Sequence, residues 1–243
     1  MGTLYLISTP IGNLQDITLR AIRKLFEVDV IACEDTRRTG TLLETLRAPY
    51  NALRGRRNNT THHKPKLLSY FEHNELRRNP EILSLLHKGH DVALISDAGT
   101  PMISDPGFKL IRECIKGNIP VVATPGPTAV IAALTLSGLP TDKFLFAGYP
   151  PKKSGHRIKF FENIKKSQES VISTIILFEA PHKLLKTLEE IKVIFGDIRI
   201  VLCRELTKIY EEVRREKISE SIEHFQKTNP KGEFVILFHK DSP

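Results

Sequence analysis

The chain has 243 residues, 40% of them apolar, and a formal net charge of +8, so it is long enough to bury a real core as one large domain or two ordinary ones. Cys33, Cys114 and Cys203 are scattered and odd in number, which argues against a disulfide framework and gives no metal-ligand spacing. No secretory leader pattern and no bilayer-length apolar run is present, so a cytoplasmic protein without membrane association is expected, and the basic excess favours a polyanionic partner.

Residues 4–7 form the first strand candidate and run into the loop Ser8-Thr9-Pro10-Ile11-Gly12-Asn13. Asp16 or Thr18 can cap the helix that follows, whose apolar positions Leu19, Ile22, Leu25 and Phe26 recur at helical spacing. Residues 28–33 give a second strand, ending in Glu34-Asp35-Thr36-Arg37-Arg38. Charges crowded at a strand end are costly to desolvate, so Glu34, Asp35 and Arg37 either pair with one another or serve a site. From residue 51 to 66 the basic side chains Arg54, Arg56, Arg57, His62, His63, Lys64 and Lys66 are mixed with Gly, Asn and Thr without apolar period. That pattern predicts a basic loop, either tracking phosphates or simply solvated.

A strand over 67–71 leads through His73, a weak general-base candidate, into a helix reaching His87. Residues 92–107 read VALISDAGTPMISDPG, a buried strand broken twice in succession before a helix starts at Phe108. The helix stops at Gly117, and a strand over 119–123 follows. Alternating strands and helices predict a mainly parallel sheet covered on both faces, whose carboxyl edge is the default ligand position. Asp97, Gly99 and Thr100 offer that edge a carboxylate, a close-approach backbone and a hydroxyl, although a well-capped turn would use the same residues.

Thr124-Pro125-Gly126-Pro127-Thr128 precedes an apolar helix over 129–137 and marks a hinge, dividing the chain into domains 1–124 and 125–243. Beyond it lie a strand over 144–147, a basic cluster of Lys152, Lys153, His156, Arg157 and Lys159, and a strand over 174–178 closed by Glu179-Ala180-Pro181-His182. A helix around 184–191, a strand over 198–202 running into Arg204-Glu205-Leu206-Thr207-Lys208, a charge-rich run over 211–217 and a last strand over 234–238 complete the chain. Their closer spacing predicts antiparallel or mixed pairing. No P-loop, no G-x-G-x-x-G and no G-x-S-x-G elbow occurs.

Taken together, residues 4–14 (LYLISTPIGNL), Glu34-Asp35-Thr36-Arg37, residues 96–107 (SDAGTPMISDPG) and Pro125-Gly126-Pro127-Thr128-Ala129 resemble the signature blocks of the tetrapyrrole methylase superfamily, the class III methyltransferases. Within it they are similar to the branch acting on small-subunit ribosomal RNA, and Glu179-Ala180-Pro181-His182 with 204–208 (RELTK) extends the match into the second half. The resemblance implies a two-domain α/β fold, with a mainly parallel N-terminal sheet, a mixed C-terminal sheet and the donor cleft between them. It further implies S-adenosylmethionine as methyl donor, a homodimer, no metal, and 2′-O-methylation of a cytidine ribose in the decoding region of 16S rRNA, as free rRNA or in the assembled small subunit. The basic insertion 51–65 departs from the family pattern.

Carried over residue by residue, the resemblance places Pro10, Ile11, Gly12, Asp97, Gly99, Thr100, Pro127, Thr128, Phe146 and Ala147 at the donor. Deprotonation of the ribose hydroxyl falls to Glu34, Asp35 or Glu179, and Arg37 orients a substrate phosphate. A tetrapyrrole or other small-molecule methylase gives no reason for the basic segments, and a non-enzymatic RNA-binding protein of the same fold would bind no donor.

Overall fold

The computed structural model describes residues 1–54 and 64–240. Two compact units divide the chain, Met1–Thr128 and Ala129–Pro243.

In the first unit the strands β1 (Leu4–Ile7), β2 (Val30–Cys33), β3 (Lys66–Ser69), β4 (Val92–Ile95) and β5 (Val121–Thr124) alternate with the helices α1 (Leu19–Glu27), α2 (Thr36–Arg54), α3 (Glu75–His87) and α4 (Phe108–Lys116). Among the described residues the strands make one all-parallel sheet in the order β3-β2-β4-β1-β5. Its strands read as unbroken apolar runs because both faces are covered. Ile7, Ile31, Cys33, Ala93 and Ile95 point to the α1 and α2 side, where Ile22, Leu25, Leu43 and Leu46 are buried, and the Phe26 and Tyr50 rings stack at 4.4 Å. Leu4, Val30, Ala32, Val92 and Leu94 point the other way, onto Ile82 and Leu86 of α3 and Leu110 and Cys114 of α4. The strand period of two assigns each residue its face.

The caps follow local chemistry. The Thr18 hydroxyl accepts from Ala21 N–H at 3.1 Å and starts α1, and Gly117 caps α4. Leu19, placed on the apolar stripe by spacing, is 60% exposed, so the helix buries a narrower face than its sequence offers. The loop expected from residue 51 is corrected: α2 continues through Arg54, with Pro49 inside it. Of the remainder of that insertion, 55–63 lies outside the described residues; Lys64 is exposed and Pro65 buried.

In the second unit, α5 (Ala129–Ser137), β6 (Phe144–Phe146), α6 (Ser154–Ser170), β7 (Thr174–Glu179), α7 (Leu184–Phe195), β8 (Arg199–Arg204), β9 (Glu212–Lys217), α8 (Ile218–Lys227) and β10 (Phe234–Phe238) build a mixed sheet in the order β6-β7-β10-β8-β9. The β6 and β7 pair is parallel and the other pairs are antiparallel. One face packs Ile175, Leu177, Ile200, Leu202 and Ile236 under α6, α7 and α8. Against the opposite side lies α5, apolar on all sides, with Val130, Ala133 and Leu134 buried. From β9, Arg215 donates to the carbonyls of Ser137 (3.2 Å) and Leu136, closing the carboxyl end of α5 with a positive charge.

The charge-rich run 211–217 is thus largely an edge strand. Arg214 sits two residues from Glu212 and Glu216 and binds both, at 3.0 and 2.7 Å. In the basic cluster at 152–159 one member is corrected. Arg157 is buried, ion-paired to Glu190, and donates to the carbonyls of Pro151 (3.2 Å) and Lys152 (3.1 Å), so its charge is spent inside the unit.

Candidate functional site

Parallel pairing brings the carboxyl ends of β1, β2, β4 and β5 to one edge of the first sheet. The loops leaving that edge are hydrogen-bonded to one another. Thr9 and Gly99 exchange both backbone bonds (2.9 and 3.1 Å), forming an isolated bridge between the loops after β1 and β4. The buried Thr9 hydroxyl donates to the Ser96 carbonyl at 3.1 Å.

The Thr100 hydroxyl donates to the Pro127 carbonyl at 3.0 Å and lies 3.0 Å from the Ser8 hydroxyl. Its single proton is used at Pro127, so Ser8 is the donor to Thr100. The chain Ser8, Thr100, Pro127 therefore ties three strand ends together. Two glycines permit this closeness. Gly99 holds φ +82°, with the position of a Cβ 3.2 Å from Ile11 Cγ2; at Gly126 a Cβ would lie 2.8 Å from that of Ser8.

Around these loops the structure gathers acids. Asp97 accepts from Asp35 N–H (3.2 Å) and from the Arg38 guanidinium (3.0 Å), while Asp97 N–H donates to Glu34 (3.3 Å). Burial, then the negative charge of Asp105, raises the Glu34 carboxyl above its ordinary range. Asp105 is raised as well, again chiefly by burial. Asp35 differs: the Arg37 guanidinium donates to both its oxygens (3.2 and 2.9 Å) and lowers it to about 2.

Of the residues singled out in sequence, Glu34, Asp35, Asp97, Gly99, Thr100 and Pro127 are thus joined by contacts, with Ile11 against Gly99. Pro10 and Gly12 flank Ile11 in the same loop, and Thr128 follows Pro127. Arg37 is drawn in through Asp35, with its side chain 90% exposed. His73 follows β3, its ring 6.3 Å from that of Phe71.

Sequence reasoning missed Ser8, Arg38 and Asp105 as members. The signal for Asp105 was the repeated Ser-Asp at 96–97 and 104–105. It becomes a site residue only because the intervening chain folds back through left-handed Met102 (φ 72°) and Ser104 (φ 69°).

In the second unit, Phe146 ends β6 and Ala147 N–H donates to the Ile176 carbonyl at 3.0 Å. The Phe146 and Phe178 rings meet edge to face at 4.8 Å. Glu179 is buried, accepting from the Thr187 hydroxyl (2.5 Å) and Ala180 N–H (2.8 Å). Among the described residues no group of three His, Cys, Asp or Glu side chains has metal-holding geometry, and no helix is long and apolar enough to cross a membrane.

The pattern of the Tetrapyrrole (Corrin/Porphyrin) Methylases matches residues 3–221. The chain is 43% identical to the Ribosomal RNA small subunit methyltransferase I of Thermotoga maritima over 237 residues, 98% of each chain. It is 47% identical to the protein of that name in a Hydrogenobaculum species, over 98% of this chain and 96% of the relative. Among solved structures, uroporphyrin-III C-methyltransferase of Thermus thermophilus complexed with S-adenosyl homocysteine is similar with a TM-score of 0.62 at 16% identity, covering 97% of both chains. A cobalt precorrin-4 methyltransferase gives a TM-score of 0.65 at 15% identity, over 97% of this chain and 94% of that one. At such identities the likeness is one of fold.

Proposed function

This chain belongs to the tetrapyrrole methylase family and, within it, to the ribosomal RNA small subunit methyltransferase I group, and from that premise we propose that it methylates the ribose 2′-hydroxyl of a cytidine in the decoding region of 16S rRNA, using S-adenosylmethionine. The observation that carries this reading is the cluster of Glu34, Asp97 and Asp105 at the carboxyl edge of the first sheet. S-adenosylmethionine is cationic at its sulfonium and its amine, so an acidic lining suits it. When bound, it supplies a methyl group activated by the sulfonium.

The chain's own groups divide the remaining work. Three carboxylates compete for the role of base, and their surroundings rank them. Asp35, held ionised by Arg37, is a weak proton acceptor. Glu179 is buried with both oxygens engaged by Thr187 and Ala180. Glu34 is half-buried and raised, which makes it a stronger base than Asp35, and with Glu179 already occupied by its two donors it is the one we assign to the hydroxyl. Arg37, fixed by Asp35, turns an exposed guanidinium toward a substrate phosphate.

Pro10, Ile11, Gly12, Asp97, Gly99, Thr100, Pro127 and Thr128 form the first unit's donor seat in this reading, and Phe146 and Ala147 keep the donor role that the family resemblance gives them. The interlocked loops support it, since a seat held by Thr9, Gly99 and the Ser8 to Pro127 chain is preformed. The active form is a cytoplasmic homodimer acting on the small subunit or its rRNA. Unmodified small subunits incubated with labelled donor and this protein test the assignment. Label at the 2′-oxygen of one decoding-region cytidine is expected; label on a base, or none on RNA, overturns it.

A further inference from the structure

Antiparallel and parallel pairing in the second unit bring the carboxyl ends of β6, β7 and β8 and the amino ends of β9 and β10 to the same end of the sheet. At a strand spacing of about 4.8 Å this end is about 19 Å wide. Two tyrosines stand on it, exposed. Tyr149, 54% exposed, follows β6, and its ring is propped edge to face on Phe178 at 5.5 Å. Tyr210, 73% exposed, lies in the turn between β8 and β9 beside Ile209, which is 96% exposed.

That turn is held from several sides. Lys208 N–H donates to the Glu205 carbonyl, Glu211 N–H donates to the Lys208 carbonyl, and the Glu211 carboxylate accepts from Thr207 N–H at 2.5 Å. Lys208 Nζ binds Glu205 and Glu233, both at 2.9 Å. Glu205 and Thr207 adopt left-handed backbone (φ 50° and 65°), a conformation that persists only where surrounding bonds over-determine it. Folding thus fixes a strained turn whose tip gains no burial from being fixed.

The charge around the tyrosines is selective. Glu205, Glu211, Glu212 and Glu233 are taken up by Lys208, Thr207 N–H and Arg204. Lys152 and Lys153, three and four residues after Tyr149, together with Lys183 after β7 and Lys231 before β10, form no ion pair among the described residues.

We propose that this end of the second sheet seats a single-stranded segment of the RNA substrate. Tyr149 and Tyr210 stack on unpaired bases, and Lys152, Lys153, Lys183 and Lys231 meet the flanking phosphates. Unpaired RNA bases are recognised by stacking on aromatic rings, and a ring already held in place loses little freedom on binding. The assignment rests on the RNA-methylating reading above, and adds where the second unit touches the strand.

The test uses the full chain and a single-stranded oligoribonucleotide of about ten nucleotides with the decoding-region sequence, carrying 2-aminopurine at successive positions. Tyr210→Ala is expected to weaken binding about tenfold and abolish the stacking quench at one position, with Tyr149→Ala doing so at another. Tyr210→Phe keeps both affinity and quench. Lys183→Gln with Lys231→Gln lowers the slope of log K against log salt by about 0.7 for each lysine removed. Calorimetry with S-adenosylmethionine on Tyr210→Ala, matching the wild type, shows that the variant is folded.

Wild-type affinity and quench in both alanine variants overturn the proposal. So does a change of oligomeric state in Tyr210→Ala with RNA affinity intact, which would make the patch a contact between copies of this chain. Wild-type protein that binds and quenches the oligonucleotide but labels no RNA in the small subunit refutes the methylation reading while leaving this surface standing.

Discussion

At the scale of single residues, the proton on Glu34 controls what the carboxyl edge can do. Burial and the Asp105 charge raise its carboxyl, so Glu34 acting as base must lose its proton above the usual carboxylate range. The acid limb of single-turnover methyl transfer is therefore expected above that range. Glu34→Gln removes the limb and at least a hundredfold of rate, consistent with the roughly 10²–10⁴-fold typical of general-base groups. Asp105→Asn deletes the like charge and is expected to move the limb to lower pH; an unmoved limb would show that Glu34 is not the titrating group.

The stability consequence has a definite sign. A raised carboxyl binds its proton more tightly folded than unfolded, so Glu34 and Asp105 cost stability as pH rises from about 4 through their raised values. Asp35, lowered to about 2, contributes oppositely, losing its stabilisation as pH falls toward that value. Gly126 adds a steric constraint: Gly126→Ala puts a methyl 2.8 Å from Ser8 Cβ and spreads the loops after β1 and β5. A loss of about 1–3 kcal/mol in urea unfolding is expected, with donor affinity at least tenfold weaker by calorimetry.

Among the elements, α6 is the one whose anchoring is most exposed to test. Arg157 and Glu190 are 3% and 14% exposed, and the guanidinium also holds the carbonyls of Pro151 and Lys152. Arg157→Ala strands a buried carboxylate and is expected to cost about 3–5 kcal/mol, whereas the double change with Glu190→Ala costs less than the sum of the two single changes. Additive losses in denaturant titrations would mean that the pair is not coupled.

The same elements show what could be read in advance. β1, β4 and α5 were legible because apolar runs end abruptly in Ser, Asp, Pro and Gly, and Glu34 and Asp97 were legible as charges set against strand ends. β9 was not, because its Glu212, Arg214 and Glu216 satisfy one another along one face while Arg215 reaches α5 from the other. Its pattern is one of charge rather than apolarity, and only pairing with β8 makes it a strand. The last turn of α2 was hidden for a related reason, since its Asn51 to Arg54 end has the same polar and basic composition as the sequence after it. Ser8 and Asp105 needed the fold itself, because their partners lie 92 and nine residues away, at Thr100 and Ser96.

For the molecule as a whole, the net charge of +8 becomes informative where cations can be traced to their partners. Arg157, Arg204, Lys208 and Arg214 are spent on internal carboxylates, so they add nothing to long-range attraction at short screening lengths. Lys152, Lys153, Lys183 and Lys231 are among the second-unit cations that form no ion pair among the described residues. These four cations neutralising four phosphates of a single strand contribute a log–log salt slope of about −2.8, to which Arg37 adds, so raising salt fourfold is expected to weaken capture of RNA by at least about fiftyfold. The donor makes no comparable exchange of counterions, and its own binding should change less than twofold over the same range. Measuring the KM for unmodified small subunits and for S-adenosylmethionine at low and moderate salt separates the two. A steep rise in the first alone marks a polyanionic acceptor, whereas two flat responses would mark a small acceptor and turn the basic excess into a matter of solubility.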